Sequence, residues 1–304
     1  MENCLVTTLK ATVNNDSLKK LGVISFNAIH GENTSSKYSS RCMTLSTNGP
    51  ITIKTYGSGN FSILNDESVK VTEYTFTEPQ TDRQIYFKDD TYLIEINNKY
   101  NITKIATPGY SDTSSLFHFN IDDAAYCPIS ILNIDGNNVI GSFNSLSSSL
   151  TNVKIVNDSS NIVIDDLSKF INLVEFESAG STNINFDTVA NSVLLEKFSN
   201  FDNRLIYGNI LSIAKLIHLN TLGIFYSNVI GAVEPAIVGL ISNNRPNGSL
   251  NITRELKEGS ITLNNKPFGT FTATFTDGAC EITRQDVKVA EYSDGTWTYY
   301  GDWA

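Results

Sequence analysis

Charge is scarce in this 304-residue chain. Only 18 % of residues are Asp, Glu, Lys or Arg, and 22 basic against 32 acidic side chains leave a net charge of −10. Without a basic cluster the chain cannot neutralise many phosphates, so nucleic acid is not an expected partner. No apolar run reaches the roughly 18 to 20 residues that a membrane-crossing helix needs, so membrane insertion is not expected. Glu and Lys are too sparse for a coiled coil or a helical bundle. The four cysteines, Cys4, Cys42, Cys127 and Cys280, lie far apart with no C-x-x-C. That spacing argues against a disulfide framework or a zinc site and for buried thiols. The opening MENCLVTTLKATV has no basic stretch leading into an apolar core, so no secretory signal is expected and folding is expected in a reducing cytosol. The patterns G-x-S-x-G, H-E-x-x-H and Walker A are all missing. Neither enzymatic activity, nor a metal, nor a cofactor is therefore expected.

Small polar residues fill the gap: 34 Asn, 32 Ser and 29 Thr, together 95 of 304. Thr fits a pleated surface, and Asn and Ser close turns with their own side chains. Residues 1–110 read as short, partly alternating strands at 4–13, 21–29, 43–47, 51–56, 69–77, 85–87 and 92–96. Turn clusters separate them, and Asp89-Asp90 reads as a hairpin turn. This predicts an antiparallel β-sandwich, with a linker near 108–115.

Residues 111–247 carry internal repeats. Asn-Val-Ile-Gly occurs at 138–141 and again at 228–231. Two segments, starting at Ile129 and Leu219, fit L-x-x-L-x-L-x-x-N-x-L, with Asn137 in the turn position of the first and Ser227 replacing Asn in the second. The segment from Leu195 fits except at Asn200 and places Asn203 in the turn. Looser copies begin at Leu150 and Ile171. Starts at 129, 150, 171, 195 and 219 give about five repeats of 21 to 24 residues. Each repeat predicts a short strand followed by a helical half, as at 165–171, 188–193, 210–217 and 234–241. The recurring helical half favours a leucine-rich-repeat-like α/β solenoid over a parallel β-helix. Residues 248–304 return to strands. Asp277-Gly278 and Asp294-Gly295 are strong hairpin signals, and Asn264-Asn265 is a third turn. They predict a small β domain, with Trp297 in its core and Trp303 in core or interface. The fold class is thus multidomain and mainly β.

The repeat block resembles the leucine-rich-repeat-like proteins of gut bacteria and their tailed phages. Residues 4–22, C-L-V-T-T-L-K-A-T-V-N-N-D-S-L-K-K-L-G, are similar to the N-terminal β domain of virion proteins of crAss-like gut bacteriophages. In place of the Gly-Asp-Ile turn associated with those repeats, this chain has Ile-Gly-Ser and Ile-Gly-Ala. The resemblance implies a non-enzymatic fibre or appendage of a phage head or tail. The N-terminal domain would anchor it, and the repeats would be displayed to a host-surface glycan or protein receptor. It also implies contacts with other virion proteins and with copies of itself, and a location in the virion after assembly in the bacterial cytoplasm. The alternatives are a bacterial cell-surface adhesion protein of the leucine-rich-repeat class and, less favoured, a glycan depolymerase.

Alternation along each repeat strand defines an outward face. Asn133 and Asp135, Lys154, Glu175 and Glu177, Ser199 and Phe201, and Phe225 occupy it and form the candidate binding surface. Phe201 and Phe225 fall at equivalent positions in adjacent repeats, so their rings are expected about 4.8 Å apart. Glu175 and Glu177 flank Phe176 and both face solvent, where a glycan depolymerase could use two such acids, but solvent-facing strand positions are ordinarily polar and catalysis there is not expected. Asp122-Asp123 and Asp165-Asp166 precede helical segments and read as caps rather than calcium ligands. His30, His118 and His218 are too far apart in sequence to suggest a site, and His218 reads as a cap.

Overall fold

The computed structural model describes residues 104–304, apart from 107–116, 126, 136–138, 157–160, 180–182, 202–205, 226 and 254–260, and the backbone of seven strands between 42 and 106. The predicted strands at 4–13 and 21–29 lie outside the described residues. The protein is mainly β, with few helices. It divides into two compact units, Met1–Leu150 with Val156–Val163 and Thr151–Ile155 with Ile164–Ala304.

The first unit contains β1 (Cys42–Thr47), β2 (Ile51–Thr55), β3 (Gly59–Leu64), β4 (Lys70–Phe76), β5 (Arg83–Ile85), β6 (Tyr92–Asn97), β7 (Ile102–Ala106), β8 (Phe117–Asn120), β9 (Ile131–Asp135) and β10 (Val139–Ser142). The next strand, β11 (Asn152–Val156), serves the second unit, and β12 (Asn161–Val163) returns to the first. One sheet runs β12-β10-β8-β1-β6-β3-β4. It is antiparallel from β4 to β8 and parallel from β8 to β12. β5, β2 and β7 pair antiparallel, and β9 joins β7 in parallel. Asp89-Asp90 lies outside the described residues, and the flanking strands β5 and β6 are not paired with each other. β6 is bonded on both edges, by β1 and β3, and so has no edge left for β5.

In the second unit the chain climbs in coils. β13 (Glu175–Ala179), β15 (Lys197–Phe201), β17 (Thr221–Ile224) and β19 (Gly248–Thr253) continue from β11 as one parallel sheet. Between them, β14 (Ile184–Asn185), β16 (Ile206–Asn209), β18 (Asn228–Ala232) and β20 (Ile261–Leu263) stack as a second parallel sheet. The aromatic side chains facing inward stack coil on coil. Phe176 and Phe198 lie 5.2 Å apart and nearly parallel, and Phe186 meets Phe198 edge-on at 5.3 Å. All three are fully buried.

The repeating helical halves are mostly not α-helices. Residues 165–171 form turns, while Phe186–Asn191 and Ile210–Lys215 are 3-10 turns of six residues. Among the described residues only α1 (Val233–Ser242) is an α-helix. The cause is coil length. Glu175 pairs with Lys197 and Lys197 with Thr221, steps of 22 and 24 residues that must also hold a second strand. Thr221 pairs with Asn251, a step of 30, and the extra residues accommodate α1. A tighter 3-10 turn spans the remaining distance with fewer residues.

Side chains lock one coil to the next. Asn185 and Asn209 cap the 3-10 turns, accepting from the Asp187 and Leu211 N–H groups at 3.1 and 2.9 Å. Asp187 then reaches up one coil, where its Oδ1 accepts from the Asn209 N–H at 2.8 Å and the Ser212 hydroxyl at 2.7 Å. The first unit repeats the device. Asn120 caps Asp122, and Asp122 accepts from the Ser142 N–H and the Ser145 hydroxyl. Asp122 therefore links coils instead of capping its own turn. Gly231 at φ +110° closes the second Asn-Val-Ile-Gly segment, and a Cβ there would stand 2.4 Å from Asn209 Oδ1. The recurring glycine is thus imposed by the asparagine cap of the coil below.

Beyond β19 the sheet continues antiparallel through β22 (Phe271–Thr276), β23 (Ala279–Arg284), β24 (Val287–Ser293) and β25 (Thr296–Tyr299). β21 (Lys266–Pro267) ends the second sheet. The turns at Asn264-Asn265, Asp277-Gly278 and Asp294-Gly295 form as expected, and Gln285-Asp286 adds a fourth. Positive φ at both central residues of each turn matches the strand twist. Trp303 packs edge-on against the buried Phe268 ring at 4.8 Å, whereas Trp297 is half-exposed.

Candidate functional site

The outer face of the parallel sheet in the second unit carries the candidate residues of that unit. Register sets three rows. Glu175, Lys197, Thr221 and Asn251 stand side by side, then Glu177, Ser199, Gly223 and Thr253, then Ala179 and Phe201. The repeat alignment in the sequence places Glu177 beside Phe201. The structure places it beside Ser199, a slip of two residues. Slipping by two preserves in–out alternation, so hydrophobic patterning cannot detect it. Lys197, Thr221 and Asn251 therefore join the face unpredicted, although charge complementarity between Glu177 and Lys197 is a usable signal.

An ion triad spans three adjacent strands. Glu177 accepts from Lys154 on β11 at 3.1 Å and from Lys197 on β15 at 3.0 Å. Partial burial pushes the Glu177 carboxyl up, but the bonds from Lys197 and Lys154 outweigh it and hold the group below the ordinary glutamate range. Glu175 is exposed and accepts from Asn152 Nδ2 at 3.1 Å. The Glu177 carboxylate thus ties three neighbouring strands together.

Ser199 is buried, contrary to expectation for an outward position. The cause is local: Gly223 beside it lacks a side chain, and the Phe225 ring lies 3.4 Å from where a Gly223 Cβ would be. Phe225 follows β17 as a half-buried turn residue. Phe201 ends β15 opposite Ala179, and the side chain of Phe201 lies outside those described. Asn133 is half-buried on β9 of the first unit; Asp135 ends that strand, its side chain outside those described. Asn137 and Asn203, the expected turn asparagines, also fall outside. Ser227 is fully buried, and its hydroxyl has no hydrogen-bond partner among the described residues. Asn200 is equally buried; its amide donates to the Ser178 hydroxyl.

The remaining candidates serve local structure. Asp166 accepts from the Ser168 N–H at 2.7 Å, and bonds from Ser168 hold its carboxyl below the ordinary range. His218 is exposed after a 3-10 turn. Cys127 and Cys280 are both buried. Among the described residues no three His, Cys, Asp or Glu side chains gather as a metal site. A cleft of about 490 Å³ is lined by 269–272 and 283–286 and contains none of the candidate residues. The candidate face thus lies outside that cleft and combines exposed Glu175 and Asn251 with the buried Ser199 and Gly223.

No protein-family model matches the chain, and no curated protein is significantly similar to it. Its geometry therefore carries the functional reading.

Proposed function

We propose that the chain is a non-enzymatic structural and adhesion component of a tailed phage particle, a fibre or appendage of head or tail. In this reading 1–110 is an anchoring β-sandwich and 111–247 a leucine-rich-repeat-like solenoid that displays its strand face to a host-surface glycan or protein. The observation that carries the reading is the coil-by-coil register from β13 to β19, which sets a continuous polar row of Glu175, Lys197, Thr221 and Asn251. Stacked repeats offer an extended surface of the kind that solenoid proteins use for binding. The resemblance of residues 4–22 and of the repeats to phage virion proteins supports the particle assignment.

Mass spectrometry of purified particles, with immunogold labelling of intact virions, tests the assignment. The protein is expected in the particle and on its exterior. Its absence from particles overturns the proposal, and its presence on bacterial cells instead favours the cell-surface adhesion alternative. Replacing Phe201 and Phe225 with Ala tests the far edge of the face. Unchanged receptor or particle binding by the folded double variant excludes that edge from the contact.

A further inference from the structure

β25 ends its sheet among the described residues and carries two features that point the same way. The first is its backbone. Tyr300 N–H donates to Val289 C=O, and the register pairs Glu291 with Thr298 and Ser293 with Thr296. Bonded and non-bonded pairs alternate in an antiparallel ladder. The groups of Thr296 and Thr298 therefore face β24, while the N–H and C=O of both Trp297 and Tyr299 point away from the sheet. Among the described residues β25 pairs with β24 alone, and no turn or loop backbone bond reaches these four groups. The second feature is the core beneath the same edge. Trp297 lies 5.3 Å from Tyr292 and 6.2 Å from Tyr299, and all three rings are half-exposed, although the row leading to them ends in the fully buried Ile282 and Ala290. The other sheet ends differently, in a two-residue strand closed by Pro267. Proline and a very short strand are common ways to blunt an edge. β25 has neither proline nor a charged residue.

We propose that β25 is a homodimer contact, in which two copies of the chain pair antiparallel about a two-fold axis through Thr298. This register satisfies all four outward groups of each copy. Trp297 then forms a bonded pair with the partner's Tyr299, and Tyr299 with the partner's Trp297. On the opposite face the exposed Thr298 meets the partner's Thr298 as a non-bonded pair, with Cα atoms about 4.5 Å apart. Thr–Thr and aromatic cross-strand pairs are both favourable. The pairing also continues the incompletely covered Tyr292–Trp297–Tyr299 cluster with the rings of the second copy. A second copy is favoured over another peptide because one symmetric register matches both the hydrogen bonds and the faces. The inference does not rest on the phage assignment.

Sedimentation of the full chain, with and without Thr298→Lys, tests it. The parent is expected to approach twice the 33.5 kDa monomer mass as concentration rises. Thr298→Lys places two like charges face to face and is expected to remain monomeric, with an unchanged circular dichroism spectrum because Thr298 is exposed. A second variant fixes the register. Under mild oxidation Thr298→Cys is expected to give at least tenfold more covalent dimer than Thr296→Cys or the parent, since only residue 298 meets itself within disulfide reach. A monomeric parent, an unaltered dimer in Thr298→Lys, or equal cross-linking at 296 and 298 would each overturn the proposal.

Discussion

Replacing Gly231 with Ala tests the coupling between coils. Two costs add. Gly231 sits at φ +110°, where an L side chain is strained by about 1 to 3 kcal/mol. The new Cβ would also stand 2.4 Å from Asn209 Oδ1, and that oxygen caps the Ile210–Lys215 turn by accepting from the Leu211 N–H. Displacing such a cap costs about 0.5 to 2 kcal/mol. The expected loss is therefore about 2 to 4 kcal/mol, within the range of a severe single substitution. Gly248 provides the control. It has φ +141°, but a Cβ added there would meet nothing within 4 Å, so Gly248→Ala carries the backbone cost alone. Urea unfolding followed by tryptophan fluorescence reads the right region, because Trp297 and Trp303 both belong to the second unit. A double-mutant cycle isolates the contact. In an Asn209→Ala background the clash is gone, so Gly231→Ala should cost about 1 kcal/mol less than in the parent. Equal losses at Gly231 and Gly248, or no coupling to Asn209, would refute the steric account.

Three further outcomes follow from the described side chains. Because the folded Glu177 carboxyl lies below its ordinary value of about 4.5, its contribution is present above that pH and is lost as pH falls through the lower folded value. Chemical denaturation between pH 7 and pH 3 should show this slope reduced in Glu177→Gln, with a loss at pH 7 of only about 0.5 to 1 kcal/mol because Lys154 and Lys197 are 44 % and 38 % exposed. Burial pushes the Cys280 thiol up to about 12, against the opposing pull of Arg245. Peptide mapping after iodoacetamide treatment should find Cys280 unmodified in the native protein and modified in guanidinium, and native labelling would contradict its placement. Tyr299 donates to Glu234 Oε1 at 3.1 Å, beside the bond from the Asn264 N–H at 2.6 Å. Tyr299→Phe should cost about 1 kcal/mol in thermal or chemical unfolding, and a neutral substitution would show that the bond contributes nothing net.

Local chemistry was legible where neighbouring residues decide the outcome. The Asp-Gly and Asn-Asn turns were, because positive φ at two successive positions admits few residue types. The repeating strand of each coil was also legible, from the spacing of Leu195, Phe198, Leu219 and Leu222, all fully buried. The second parallel sheet was not. β14 has two residues and β16 four, too short for a period-2 pattern to stand out from the following 3-10 turn. The recurrence of Gly141, Gly208 and Gly231 at positive φ was its best signal, and only the Asn-Val-Ile-Gly copies displayed it.

The candidate face shows the same division. Alternation identified Glu175 and Glu177 as outward positions, but it could not set which residue of the next coil stands beside each. That offset depends on how many residues the intervening turn absorbs, and the steps of 22, 24 and 30 differ without leaving a mark on the alternation. Hence the Lys154–Glu177–Lys197 triad and the burial of Ser199 emerged only in three dimensions. Composition, alternation and turn chemistry are properties of adjacent residues, so the sequence by itself determined a mainly β, repeat-bearing chain with outward-facing polar strands. Register, the choice between 3-10 turn and α-helix, and the pairing of charges across coils depend on residues 20 or more positions apart, and there the packed structure decided.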